Sequence, residues 1–593
     1  MSTSMQQTDV VIIGAGLSGL LACKHLRAAK LECLVFESSD DIGGVWKYRD
    51  KPNGKGGVMF STVSTSSKTV NEFSDFPMPD DYPSFQKHTL ILQYLNDYAD
   101  HFGIRDAIRL NSEIVEATKR DDCWEIHDHH GNVYRSRYLI VCAGVHQFPN
   151  RFYQDDERFL SSTIKTIHSS DYKRLTDEYL GKDILVFGGG ETASDIAIEL
   201  THVANSVTMS IPHGQWLFPA VTPVMVPTNA SGYSTMVSDT FSSRLRRLVD
   251  PPFATFETRL ETKAHFTSRT FEKWGGKCGH GIPQWENDAP YYGQFFNKNS
   301  NIVYFVHKGL IKPAGNIKSV KGDVVRFADD SETRVDLIVF CSGYDIRFPF
   351  FRNQTFSCAI VDQFKFLLSN EDPTLAFIGF ARPLVGSFMG ISEIQSIYVS
   401  KLFSHEIDPP DRAYRDRVIL EDKVFQELSF SRTSHRIEGL VNFQSYVDEL
   451  ASLAGVRPNY WQLFFSSPIN WYYAVTAAHN NCQFLLHDKK HHAEIFRRYR
   501  RYHGGNLRVS SHIYALVVNL FPGWFRRRRG SLITLRTTLS LALAYLLIVV
   551  FSPVLLFRII FSVEKSWRLK KRRMMRDNTA VELLDKVRAN GDQ

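Results

Sequence analysis

One local pattern occurs twice in this chain, as VVIIGAGLSGLLACKHL from Val10 and as ILVFGGGETASDIAIEL from Ile184. Each copy is a short apolar run, a glycine-rich turn and the start of a helix. That order is what a βαβ unit needs to bring backbone N–H groups and a helix N-terminus up to a diphosphate. Two such units predict an α/β fold with two Rossmann-like dinucleotide-binding domains. The other apolar runs agree: CLVFE, YLIVCAG and DLIVFCSG are separated by amphipathic stretches such as LILQYLNDYADHF, whose Leu90, Leu92, Leu95 and Tyr98 recur at helical intervals.

In the first unit Gly14 permits the tight turn, Gly16 lets a pyrophosphate reach the backbone and Gly19 lets the helix pack closely, with Ala15, Leu17 and Ser18 completing the cradle. The next strand ends in Glu37, 23 residues after Gly14, where a carboxylate can accept the hydroxyls of an adenosine ribose. An acid there disfavours a 2′-phosphate, which leaves FAD or NAD. Glu37 leads into SSDDIGGVWKY, where Gly43 and Gly44 permit a second close approach and Trp46, after Val45, offers a flat apolar wall. This segment resembles the one that lies along FAD in flavoproteins with two dinucleotide domains.

In the second unit Gly188, Gly190 and Ala193 take the three small-residue positions, with Glu191 and Thr192 in the first helical turn. Its next strand, SVTMS, ends in Ser210 without an acid, so the usual selector for NAD is missing and NADPH is the expected ligand. One cradle then holds a flavin and the other presents the nicotinamide that reduces it by hydride transfer.

The 593 residues, 43% hydrophobic and 22% charged, suffice for two or three packed domains. Eight cysteines without a C-x-x-C pair suggest neither a disulfide framework nor a zinc site, and fit a reducing compartment. Much of the basic surplus behind the net charge of +7 lies near the C-terminus, which points to an anionic membrane surface and not to nucleic acid. No secretory pattern opens the sequence, so the catalytic part is expected in the cytosol. Thr537 to Phe557 carries no charge, and as a helix it covers roughly 30 Å, enough to span a bilayer. Basic clusters flank it on both sides, Arg526 to Arg529 and Lys570 to Arg573. With Pro553 able to bend the helix and Arg558 interrupting it, insertion from the cytosolic face is slightly favoured over a single span. HDKKHHAEIF, His487 to Phe496, lacks a carboxylate set at ligand spacing and reads as a solvated basic face, so no metal site is expected.

Taken together, VVIIGAGLSGL, FESSDDIGGVWKY, SSKTVNEFSDFPMPDDYPSF, YLIVCAGVHQFPN, HSSDYK, VFGGGETASDIAIEL, DLIVFCSGYDIRFPF, FIGFARP and SEIQS resemble, in order, the animal, membrane-associated flavin-containing monooxygenases over Val10 to about Ala474. The resemblance implies an enzyme in which NADPH reduces FAD, O2 is held as a hydroperoxyflavin, and a soft nitrogen- or sulfur-containing small molecule takes one oxygen atom. It implies an FAD-binding domain in two segments, 1–175 and 331–475, with an NADP-binding domain, 176–330, inserted between them. A C-terminal connector and membrane-associated helical tail, 476–593, would fix the enzyme to the endoplasmic reticulum membrane with the catalytic domain facing the cytosol. The strand in VDLIVFCSGYD is expected to return the chain to the flavin sheet.

Three departures from the family pattern bear on the chemistry. The family signature keeps His168 and Tyr172 but has Ser162 and Ile164 in place of Phe and Gly, and His168 is read as structural. Pro212, His213 and Ala220 stand where Arg is common; His213 remains as the group for a 2′-phosphate, with a weaker grip than a guanidinium fork. Thr65, followed by Ser66, occupies the place of an Asn beside the reactive flavin edge, and its hydroxyl lacks the amide's paired donor and acceptor. Thr65 and Ser66 are thus the candidate catalytic residues. A Baeyer-Villiger type monooxygenase, an uncoupled NADPH oxidase and a non-catalytic membrane flavoprotein remain alternatives.

Overall fold

A computed structural model describes residues 6–217, 277–286, 297–352, 356–383, 386–430, 439–476 and 480–502. The strand Gln6–Ile13 forms the middle of a seven-stranded sheet because Val10 to Ile13 are apolar on both faces, and all four are buried. It pairs in parallel with Cys33–Phe36 on one side and with Val133–Val141 on the other. Ile108–Arg109 extends the parallel edge, while Cys123–Asp128 and Ile114–Arg120 continue the other side as an antiparallel meander. The helix Leu17–Ala28 covers this sheet with Leu20, Leu21, Cys23 and Leu26.

The second cradle belongs to a separate sheet of five parallel strands, in the order Lys312–Ala314, Ser206–Ser210, Asp183–Phe187, Leu337–Phe340, Lys165–His168. Its two faces carry distinct cores, one around Ile196, Trp285 and Leu200, the other around Phe187, Phe340 and Val325. The sheet therefore draws strands from outside the span 176–330. The placement of Leu337–Phe340 corrects the expected return point: Leu337 lies opposite Ile184 and Lys165, inside the second sheet. Four apolar residues buried on both faces suit any central parallel position, so the local pattern does not say which sheet receives them. The chain regains the first sheet at Leu375–Phe377, paired in parallel with Leu139 to Val141.

Behind the first cradle runs the helix Phe388–Phe403, capped by the Ser387 hydroxyl and buried along almost its whole circumference. It meets the Leu17–Ala28 helix through small groups, with the Ser18 and Ser392 hydroxyl oxygens 3.0 Å apart.

Residues 480–502 fold back onto the loop at 69–75. Asn480 Nδ2 donates to Glu72 Oε1 at 2.7 Å, Asn481 Nδ2 to the Glu72 carbonyl at 3.0 Å and Arg498 Nη1 to the Ser74 carbonyl at 2.7 Å. The solvated basic face expected of His487 to Phe496 is accordingly corrected: Lys489 and Lys490 are exposed, but Ile495 and Phe496 are buried where the helix His492–Tyr502 docks. Among the described residues no helix is long and apolar enough to cross a membrane. The run Thr537 to Phe557 with its flanking clusters, and Ala220, lie outside the described residues.

Candidate dinucleotide and oxygen-transfer site

The glycines of the first cradle answer two different needs. Gly14 has φ +105°, and a Cβ there would sit 2.5 Å from the Cys142 carbonyl oxygen; a Cβ on Gly19 would sit 1.9 Å from the Gly14 carbonyl oxygen. Both are small because the protein's own backbone occupies the space. Gly16, which opens the helix, has ordinary extended angles of φ −73° and ψ −175°. The nearest atom to a Cβ on it is the Gly44 Cα at 3.7 Å. Neither conformation nor packing requires glycine there, and a bare helix N-terminus is what close approach of a diphosphate would use.

The surrounding groups fit the same ligand. Gly43 N donates to the Ala15 carbonyl at 3.0 Å, which brings Gly44 and the GVW turn, Gly44–Trp46, against the cradle. Leu17 and Trp46 pack against the first core. The buried Glu37 carboxylate accepts from Ala15 N at 2.8 Å through Oε2, and from Ser39 N at 2.9 Å and Ser39 Oγ at 2.8 Å through Oε1. These bonds fix it across the turn from Gly14 and leave Oε2 a lone pair for a ribose hydroxyl.

The second cradle repeats the division. A Cβ on Gly188, at φ +137°, would lie 2.7 Å from the Cys341 carbonyl oxygen, while Gly190 has nothing within 4 Å of such a Cβ. Gly190 opens the helix Glu191–Leu200 at φ −80° and ψ 174°, again without a side-chain cap. Ala193 is fully buried and Thr192 exposed. Ser210 does not present its hydroxyl to a ribose: it is buried and donates to the Gly315 carbonyl at 2.6 Å. His213 is exposed at the end of that strand.

Two residues that sequence reasoning missed complete this turn. Asn297, fully buried, donates through Nδ2 to the Gly189 carbonyl at 3.0 Å, the Gly190 carbonyl at 3.2 Å and Ser194 Oγ at 2.7 Å. Lys298 Nζ stands 3.9 Å from Glu191 Oε1 with its side chain 10% exposed. Glu191 puts a carboxylate in the first turn of this helix, and Lys298 stands close enough to offset its charge. Both come from about a hundred positions down the chain, so no local motif announces them.

Deeper in the same helix, burial pushes Asp195 up to about 7, with Glu191 and Glu199 adding repulsion and the Asn299 amide opposing them. His168, also buried, accepts from Ser170 N at 3.0 Å through Nδ1 and donates from Nε2 to the Gly343 carbonyl at 3.0 Å. Burial holds it down at about 4, so it is a neutral clasp between two loops. Tyr172 OH donates to Glu199 Oε2 at 2.8 Å.

The candidate catalytic loop is tied from behind. Ser66 O accepts from Ser64 Oγ at 2.9 Å and from Asn71 Nδ2 at 3.1 Å, and Ser66 N donates to Ser64 Oγ at 3.2 Å. Asn71 Oδ1 in turn accepts from Ser387 Oγ at 3.1 Å. Ser66 is thus held through its backbone, and among the described residues no hydrogen bond engages its hydroxyl or that of the half-buried Thr65.

A family model described as flavin-binding monooxygenase-like matches residues 7–488 of this chain. Flavin-containing monooxygenase 5 of Rattus norvegicus is 29% identical over 483 residues, covering 78% of this chain and 86% of that protein. Dimethylaniline monooxygenase (N-oxide-forming) 2 of Mus musculus is 30% identical over 488 residues, covering 77% and 85%. Among solved structures, closed cyclohexanone monooxygenase superposes with a TM-score of 0.55 at 18% identity, covering 76% of this chain and 98% of that one. S-allyl-L-cysteine S-oxygenase from Allium sativum gives 0.53 at 17% identity, covering 83% and 100%. At such identities the structural likenesses speak for the fold alone.

Proposed function

Since the chain belongs to the flavin-binding monooxygenase-like family and is a flavin-dependent monooxygenase using FAD and NADPH, we propose that Gly14 to Gly19 hold FAD, Gly188 to Ala193 hold NADPH, and Thr65 and Ser66 face the reacting oxygen. The observation that carries the assignment is shared by Gly16 and Gly190. Each opens a helix in an ordinary backbone conformation where a Cβ would fit without a clash, 3.7 Å from the Gly44 Cα at Gly16 and with nothing within 4 Å at Gly190. When bound, the flavin supplies hydride acceptance and oxygen activation.

The chain's own part is binding and orientation. The first N–H groups of each helix have no intrahelical acceptor and present a positive end to a diphosphate. Glu37 accepts a ribose hydroxyl while its bonds to Ala15 and Ser39 keep it in place. Gly44, Val45 and Trp46 wall the flavin side, and His213 contributes to the 2′-phosphate. Thr65 and Ser66 each offer a neutral hydroxyl, able to donate a hydrogen bond to an oxygen without moving a charge.

That set suits transfer to a soft nitrogen or sulfur atom, which needs access more than a strong acid or base, and the N-oxide-forming relative supports nitrogen. Thr65 also favours a second reading, an NADPH oxidase that releases hydrogen peroxide, because one hydroxyl stabilises a reactive oxygen species less than an amide does. Anaerobic titration of the yellow protein with NADPH tests the cofactor assignment: one equivalent should bleach one bound flavin, and retention of colour would overturn it.

The uncharged run Thr537 to Phe557 would attach this catalytic unit to the cytosolic face of the endoplasmic reticulum membrane, with both basic flanks beside anionic lipid. Carbonate-resistant protein with a protease-accessible C-terminal tag in sealed microsomes would support insertion from that face. A protected tag would establish a single span.

A further inference from the structure

The helix Leu17–Ala28 and the strand Cys33–Phe36 bring two cysteines together beneath the first sheet: the Cys23 and Cys33 sulfurs are 3.5 Å apart, and both are reduced. Their surroundings differ. Cys23 is fully enclosed, whereas Cys33 is 6% exposed and lines an edge groove of about 440 Å³ with Arg27, Glu32, Asp106 and Arg109. Arg27 is held there by a bidentate pair with Asp106 at 2.7 and 2.8 Å. Either sulfur can donate across this contact; the bond and the Arg27 guanidinium draw the Cys33 thiol below its ordinary value against the opposing burial, while the bond and burial push Cys23 up. A buried thiol whose residue lines a groove wall, with a second thiol 3.5 Å away, is a pair that an oxidant entering the groove can convert to a disulfide.

We propose that Cys33 and Cys23 form a modification site for hydroperoxides, with Cys33 as the attacking sulfur at the groove and Cys23 as the resolving sulfur 3.5 Å behind it. In the first step the Cys33 thiolate attacks one oxygen of hydrogen peroxide. An S–O bond forms, the O–O bond breaks, and the departing hydroxide takes a proton to become water; the sulfur loses two electrons and the peroxide gains them. In the second step the Cys23 sulfur attacks the Cys33 sulfenic acid. The S–S bond forms, the S–O bond breaks, and the departing hydroxide takes the Cys23 proton as a second water.

Reaching a disulfide's length of about 2.05 Å needs the sulfurs to close by about 1.5 Å. The bridge would staple the helix that opens at Gly16 to the strand that leads to Glu37. In a reducing compartment the dithiol is the resting form, so the disulfide reports an oxidant. None of this depends on the cofactor assignment.

The test uses the full-length, detergent-solubilised protein treated with stepwise hydrogen peroxide, alkylated, digested and mapped by mass spectrometry. The expected result is a linked pair of peptides carrying Cys23 and Cys33, two hydrogens lighter than the reduced pair. It should appear before oxidation of Cys123 and Cys358, two of the partly exposed thiols, although Cys33 itself is buried, and revert with dithiothreitol. Cys23→Ala should trap dimedone on Cys33, and Cys33→Ala should leave Cys23 unlabelled. The proposal is overturned if both cysteines remain alkylatable while Cys123 or Cys358 oxidises, or if Cys33 proceeds to sulfinic acid with Cys23 still a thiol. The wild-type map alone decides this, whether or not the variants fold.

Discussion

Substituting Gly19 and Gly16 of the first cradle one at a time separates what folding needs from what the ligand needs. A Cβ on Gly19 would lie 1.9 Å from the Gly14 carbonyl oxygen, a backbone atom that cannot swing away. Gly19→Ala must therefore shift the helix away from the turn, at about 1–3 kcal/mol by the scale of core overpacking. Gly16→Ala meets nothing closer than 3.7 Å, and its φ of −73° suits any residue. Losing a glycine from the position before the helix costs up to about 1 kcal/mol, and the stiffer unfolded chain returns 0.4 to about 1 kcal/mol, so the apoprotein should change by less than about 1 kcal/mol. FAD affinity should not be spared. A methyl group where the diphosphate meets the backbone is expected to weaken it at least about tenfold, which corresponds to about 1.4 kcal/mol, and Gly16→Val should yield colourless protein. Urea midpoints of the deflavinated proteins measure the first quantity, and the ratio of flavin absorbance to chain measures the second. Gly16→Val that keeps stoichiometric FAD, or Gly16→Ala that destabilises the apoprotein as much as Gly19→Ala does, would refute the argument.

Other expected outcomes follow from single groups. Asp195, raised from 3.8 to about 7 by burial, keeps its proton in the folded chain after the unfolded chain has released it. Its contribution is thus fully present below the unfolded value and falls as pH rises through about 7, by up to about 4 kcal/mol. Asp195→Asn should flatten that fall between pH 5 and 8, and an unchanged pH dependence of the urea midpoint would contradict it. His213→Arg should raise the preference for NADPH over NADH about tenfold in flavin reduction rates, because a guanidinium fork grips a 2′-phosphate in two places; an unchanged ratio would remove this position from coenzyme selection. Thr65→Asn should lower the fraction of NADPH consumption that ends as hydrogen peroxide, measured by peroxide yield per NADPH, and an equal or higher yield would show that the loop does not protect the oxygen.

Both cradles were legible because every element that makes them lies within a few tens of residues: strand, glycine turn, helix, and in the first case Glu37. Their supports were not. Asn297 and Lys298 reach the second turn from a different part of the sequence, and a single Asn-Lys pair carries no pattern of its own. The run Leu337–Phe340 was recognisable as a central strand but not as a member of the second sheet, since burial on both faces looks alike in either. Leu375–Phe377, with three residues, is too short for periodicity to mark. The docking of 480–502 was hidden for another reason: Arg498 reads as one more basic residue in RRYRRY until its guanidinium is found buried against the Ser74 carbonyl.

The central claim is that this chain draws on NADPH to place one atom of O2 on a small molecule. Turnover of the full-length protein under isotopically labelled O2, with NADPH and a soft amine or sulfide, tests it directly by mass spectrometry of the product. The account predicts one labelled oxygen atom per product molecule, with product formed in proportion to NADPH consumed. Stoichiometric hydrogen peroxide with no labelled product would contradict it and leave the oxidase reading in its place.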